Sequence, residues 1–266
     1  MSGSAGAPLD AGGLLLDMDG VLTVSWRPLP GAVETVARLR AAGVPFRIMT
    51  NTTSRSHGAI ATSLRAAGFD VADDEVLTAS VAAAAYLRAH HAGARVFVLG
   101  DAVPDDLAGV RLVGLDGDPE VVVISGADRS FAFENLNRVH RLLLGGAAFV
   151  AMHRNLSWMT DEGECLDAGA YLLGLERAAR REAAITGKPS PDFFRAGLEA
   201  LRLPPERAAM VGDDVENDVL AAQAIGMAGV LVRTGKFREE ALAATAGTPG
   251  HVVDSIADVP ALLGLA

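Results

Sequence analysis

Short apolar runs alternate with segments of helical periodicity from one end of this chain to the other, the pattern of a parallel sheet with helices on its faces. Residues 14–16 read as a first buried strand, 32–42 as a helix stopped at Gly43, and 44–49 as a second strand. A polar loop over 50–56 precedes a helix that runs to about Ala67, and a further helix spans 80–91. Apolar runs at 96–99, 121–125 and 147–152, with an amphipathic helix over 131–144 among them, make a block that can stand as a domain of its own. The first pattern then resumes: a helix at 191–201, a strand at 208–211, a helix at 218–225 and a strand at 229–232. The expected organisation is an α/β core in two parts, 1–79 and 185–266, with an inserted domain over 80–184.

Composition narrows the reading. With 50% hydrophobic and 21% charged residues the chain is globular rather than disordered. A net charge of −10 argues against nucleic acid and acidic membrane surfaces as partners, because an anionic protein repels phosphate backbones. No stretch reaches the roughly 20 uninterrupted apolar residues of a membrane span, and residues 1–13 read as a frayed tail rather than a signal peptide. Cys165 is the only cysteine, which excludes an intrachain disulfide and a cysteine zinc cluster and fits a reducing cytoplasm.

Four segments carry candidate chemistry. In Leu14-Leu15-Leu16-Asp17-Met18-Asp19-Gly20 a strand ends in two carboxylates two residues apart, which extended chain sends to the same side. Like charges held this close call for a hard cation such as Mg²⁺ or for two different tasks; an acidic turn is the plain alternative. Ile48-Met49-Thr50-Asn51 ends a strand in hydrogen-bond donors suited to a phosphate oxygen. Lys188, bounded by Gly187 and Pro189, can hold a fixed cation beside a transferring phosphoryl group. Val211-Gly212-Asp213-Asp214 ends another strand in carboxylates, with Asp218 beyond it at a helix start. Taken singly, a solvated loop lysine or an acidic helix start explains the last two; together, all four lie at strand ends of one expected sheet.

This order of motifs resembles the haloacid dehalogenase (HAD) superfamily of phosphotransferases over essentially the whole chain. The resemblance implies a Rossmann-like parallel-sheet core domain with an inserted α/β cap domain of type C2. By it, Asp17 is the nucleophile and Asp19 the acid and base; Thr50 and Lys188 hold phosphoryl oxygens with Asn51 close by. Mg²⁺ falls to Asp17, the backbone carbonyl of Asp19 and Asp213, while Asp218 orients Lys188 or reaches the metal through water and Asp214 shares either task. Thr23 and Thr50 are too close in sequence for a domain between them, so the cap lies between Asn51 and Lys188, as in the NagD-like (class IIA) branch. Within it, Thr50-Asn51-Thr52-Thr53, Leu166-Asp167-Ala168-Gly169 and the stretch from Gly226-Met227 to Thr234-Gly235-Lys236 are similar to the phospholysine/phosphohistidine/inorganic pyrophosphate phosphatase group.

One segment departs from the branch. Where many members carry Ala-Thr-Asn, this chain has Ala151-Met152-His153-Arg154-Asn155, which makes His153 and Arg154 candidates for reading a leaving group, Arg154 by gripping an anionic one with both arms. A surface loop is the alternative. The resemblance implies a Mg²⁺-dependent phosphatase acting on a small phosphorylated metabolite, a phosphate monoester or else a phosphoamide or pyrophosphate, and allows a homodimer through the cap. Carbon–halogen hydrolysis is disfavoured by Asp19 and Asp213; a non-catalytic small-ligand binding protein on the same scaffold remains the alternative. Cys165 reads as a loop thiol, Trp26 as packing, and His57, His90, His91 and His140 lack metal-ligand spacing.

Overall fold

A computed structural model describes residues 8–160 and 163–265, in two compact units. One unit comprises residues 8–50, Gly58–Leu77 and residues 191–265; the other comprises Asn51–His57 and Thr78–Ser190.

The first unit is built on a sheet with strand order His251–Val253, Ala228–Val232, Ala208–Gly212, Gly13–Asp17, Phe46–Thr50, Val76–Thr78. The pairings along the first five are parallel. The central strand Gly13–Asp17 is buried along its whole length, as is Ala208–Gly212, which explains their unbroken apolar sequence. On one face the helix Ala32–Ala41 sets Val36 and Leu39 in a cluster with Leu14, Leu16, Ile48, Val211 and Val230. On the other the helix Pro191–Leu201 crosses Gly197, where a methyl group would meet Leu15 and the Met49 sulfur at about 3 Å. Because the chain leaves Gly13–Asp17 to one side for Phe46–Thr50 and returns on the other side at Ala208–Gly212, the order reverses at the central strand. That reversal opens a crevice at the strands' carboxyl ends.

The tail expected over 1–13 lies outside the described residues as far as Ala7. From Leu9 the chain is tied down: Leu9 donates to the Leu262 carbonyl at 2.9 Å and is buried, and Gly12 donates to the Arg207 carbonyl at 2.7 Å. Among the described residues no helix is long and apolar enough to cross a membrane.

The second unit is itself α/β. Its parallel sheet runs Ala184–Ile185, Ala148–Ala151, Val121–Ile124, Arg95–Leu99, Arg111–Leu112. Val121 and Val123 point into a cluster with Ala83 and Leu87 of the helix Ala79–His90, while Val122 and Ile124 point into one with Val139, Leu143 and Leu172 from the helices Phe133–Leu144 and Ala168–Ala179. Cys165 is not in a loop: it pairs with Trp158 in an antiparallel hairpin, Ser157–Thr160 with Gly163–Leu166.

Candidate active site

Three carboxylates meet at the crevice of the first unit. Leu16 is level with Val211, and Asp17 with Met49, so Asp17, Thr50 and Asp213 all leave the sheet at its carboxyl edge. Each of Asp17, Asp213 and Asp218 offers a carboxylate oxygen within 4.8 Å of the other two, and all three residues are buried. The Met18 N–H donates to Asp17 Oδ1 at 2.8 Å, which fixes the plane of that carboxylate. Asp19 lies one residue beyond in a tight loop closed by the Leu22 and Thr23 N–H groups on the Met18 carbonyl. Its side chain is exposed and stands outside the trio.

Asp218 reaches the trio because the chain after Asp213 widens. Both Asp218 and Val219 donate to the Asp214 carbonyl, an over-wide helical turn over Val215–Leu220 that runs into the regular turn Ala221–Ala224. The single helix expected over 218–225 is therefore two short segments of different pitch. Asp218 Oδ2 in turn accepts the Asp214 N–H at 3.2 Å, and any side chain on Gly212 would run into Asp218. Asp214 is spent on the helix start: its Oδ1 accepts from the Glu216 and Asn217 N–H groups at 3.1 and 2.9 Å, and its Oδ2 from the Asn217 amide at 2.8 Å.

The electrostatics of the trio are unfavourable without a cation. Burial, reinforced by the charges of Asp17 and Asp218, pushes the Asp213 carboxyl well above the usual carboxylate value; the Lys236 N–H opposes this by donating to Asp213 Oδ2 at 2.7 Å. Asp213 Oδ1 is buried and has no hydrogen-bond partner among the described residues. A cluster of hard oxygen donors, one of them orphaned and destabilised as an anion, fits a hard divalent cation.

Sequence reasoning left Lys236 out of the site. It follows the strand Ala228–Val232 at the same sheet edge. The residue is solvent-exposed as a whole, yet its ammonium pKa is raised: desolvation would lower it, but attraction to Asp17, Asp213, Asp218 and Asp214 outweighs that. The signal available in sequence was a Thr-Gly-Lys step just after a buried strand, at the level of the other motifs.

In the second unit Asn51 and Lys188 come together. The Lys188 N–H donates to Asn51 Oδ1 at 2.9 Å and the Asn51 amide donates to the Lys188 carbonyl at 3.1 Å. Asn51 thus grips the main chain of Lys188, whose side chain is buried. The approach is close: a side chain on Gly187 would strike Asn51 Oδ1 and the Met152 carbonyl. Thr50, one residue before Asn51, is buried at its strand end.

Arg154 is engaged inside its own unit. Its two terminal nitrogens each donate to a Glu176 carboxylate oxygen at 2.7 Å, so the fork expected to grip a substrate anion already holds one. His153 is 2% exposed; its Nδ1 accepts the Asn155 N–H at 3.3 Å and its Nε2 lies 3.9 Å from Asp167 Oδ2.

The family model for haloacid dehalogenase-like hydrolase matches residues 14–115, and a second, for HAD-hydrolase-like proteins, matches residues 185–259. Human haloacid dehalogenase-like hydrolase domain-containing protein 2 is 37% identical over 225 residues, 85% of each chain. The phospholysine phosphohistidine inorganic pyrophosphate phosphatase of Danio rerio is 36% identical over 233 residues, covering 85% of this chain and 84% of that one. Among solved structures, the p-nitrophenyl phosphatase from Archaeoglobus fulgidus superposes with a TM-score of 0.88 at 31% identity, covering 95% of this chain and all of that one. NagD from E. coli K-12 does so at 0.83 and 27%, covering 94% and 98%.

Proposed function

The chain belongs to the haloacid dehalogenase-like hydrolases, in their NagD-like class IIA branch, and is a phosphatase; from that premise we propose that it hydrolyses a small phosphorylated metabolite through an aspartyl-phosphate on Asp17, with Mg²⁺ as cofactor. The observation that carries the reading is the buried trio Asp17, Asp213 and Asp218 with its orphaned Asp213 Oδ1. The substrate is a phosphate monoester, or else a phosphoamide or pyrophosphate.

An Asp17 carboxylate oxygen attacks phosphorus and the bond from phosphorus to the leaving group breaks. Asp19 gives its proton to the departing atom. In the second half, Asp19 takes a proton from water as the water oxygen attacks phosphorus; the bond to Asp17 breaks and inorganic phosphate leaves. The exposure of Asp19 suits a group that must meet both the leaving group and solvent. Thr50 and Lys188 hold phosphoryl oxygens, and Asn51 acts through Lys188 by fixing its main chain. Asp17, Asp213 and the Asp19 carbonyl, with Asp218 beside them, would hold Mg²⁺, which would supply positive charge to offset that of the transferring group. With Cys165 as the only cysteine the fold relies on no intrachain disulfide, which fits a cytoplasmic site of action.

Inorganic phosphate release tests the reading, over a panel of sugar phosphates, nucleotides, glycerol phosphates, pyridoxal phosphate, pyrophosphate and phosphoramidates, with Mg²⁺ and with EDTA. Turnover that EDTA abolishes is the expected result. Turnover of equal rate in EDTA would remove the metal from the account, and none on any substrate would favour a non-catalytic binding protein.

A further inference from the structure

We propose that Thr234, Gly235 and Lys236 form a clamp that positions Asp213, holding its Oδ2 so that Oδ1 faces the metal. The inference rests on the metal-dependent reading above and concerns a segment to which that reading gives no task.

Three contacts within the first unit carry it. The Lys236 N–H donates to Asp213 Oδ2 at 2.7 Å. The Thr234 hydroxyl donates to the Gly20 carbonyl, joining the loop after Ala228–Val232 to the loop that follows Asp17. Between these two hydrogen bonds Gly20 and Gly235 face each other, and a methyl group on either would occupy the space of Asp213 Oδ2. Both glycines have positive φ, +86° and +60°, so the backbone there is shaped around that oxygen. The carboxylate is walled on one side by two glycines and pinned by one N–H, which leaves Oδ1, the buried oxygen without a hydrogen-bond partner among the described residues, as the free ligand atom. Groups that orient a metal-binding carboxylate from outside typically control affinity by about 10- to 100-fold. Thr234 and Gly235 are positioning residues in this scheme, and the Lys236 contribution to the clamp is its main-chain N–H.

Calorimetric titration of the metal-free full chain with Mg²⁺ tests this. Wild type binds Mg²⁺; Thr234→Val weakens binding about tenfold and Thr234→Ser, which keeps the hydroxyl, restores it. Gly235→Ala weakens binding at least as much as Thr234→Val. Lys236→Met keeps the N–H and removes only a cation, so its metal affinity is undiminished. Circular dichroism of each metal-free variant checks folding, and the valine–serine pair carries the test should Gly235→Ala fail to fold. Wild-type affinity in folded Thr234→Val overturns the clamp while leaving the metal site intact; absence of Mg²⁺ binding by wild type overturns the metal reading and the clamp with it.

Discussion

Removing the Arg154 guanidinium destabilises the protein without blinding it to substrate. In Arg154→Met, Glu176 loses two charge-assisted hydrogen bonds of 2.7 Å and, among the described residues, keeps only the Ala183 N–H at 2.8 Å. Bonds of this kind contribute about 1.5–3 kcal/mol each when buried, whereas exposed ion pairs contribute about 0.2–1 kcal/mol. The Glu176 side chain is 11% exposed and that of Arg154 34%, so solvent screens the arginine end. An intermediate loss of about 2 kcal/mol follows, which lowers Tm by roughly 4–8 °C in a protein of this size. Thermal melts of wild type and Arg154→Met at neutral pH measure it.

The pH dependence has a definite sign. Burial of Glu176 would raise its carboxyl, but the Arg154 hydrogen bonds and the Ala183 N–H more than offset this and hold it below the ordinary value of 4.5. A depressed carboxylate contributes stability that is complete above its unfolded pKa and is lost as pH falls through the folded one. The gap between wild type and Arg154→Met is therefore open at neutral pH and closes as pH falls below 4.5 through the folded Glu176 pKa. Equal melting at neutral pH would refute the structural role. A tenfold rise in KM with unchanged melting would return Arg154 to the substrate.

Two further outcomes follow from the site. Asp213 is held above the ordinary carboxylate value, so the metal-free protein is most stable below that range and loses stability as pH rises through the folded pKa; Asp213→Asn flattens this slope in pH-dependent melts and raises the metal-free Tm near neutrality, while phosphate release falls on the order of 100-fold. Asn51→Ala frees the Lys188 main chain and lowers kcat on the best substrate of the panel about tenfold, equivalent to about 1.4 kcal/mol, with Mg²⁺ affinity by calorimetry unchanged.

The long buried elements were legible in sequence because periodicity is a property of many residues. The helix Pro191–Leu201 stands where its spacing puts it, and the strands Gly13–Asp17 and Ala208–Gly212 extend the expected runs by a residue or two. Val76–Thr78, Ala184–Ile185 and His251–Val253 are too short to show a period, and only their neighbours' hydrogen bonds make them strands. The helix Ala168–Ala179 did carry a signal, an N-cap at Asp167 followed by Leu172, Leu175 and Ala179 at helical spacing. At the site, Asp17 and Asp213 are marked by strand ends, a local signal. The grip of Asn51 on Lys188 and of Arg154 on Glu176 joins residues far apart in sequence, so no local pattern announces either. The task of Lys236 belongs to its main chain, which sequence does not mark.

The most direct test of the account locates the phosphoryl group during turnover. Mass spectrometry of peptides from an acid-quenched reaction with Mg²⁺ and the best substrate of the phosphate-release panel should find phosphate on Asp17, and none in Asp17→Asn, which releases no inorganic phosphate. Phosphate on another residue, or release by Asp17→Asn at the wild-type rate, would contradict it.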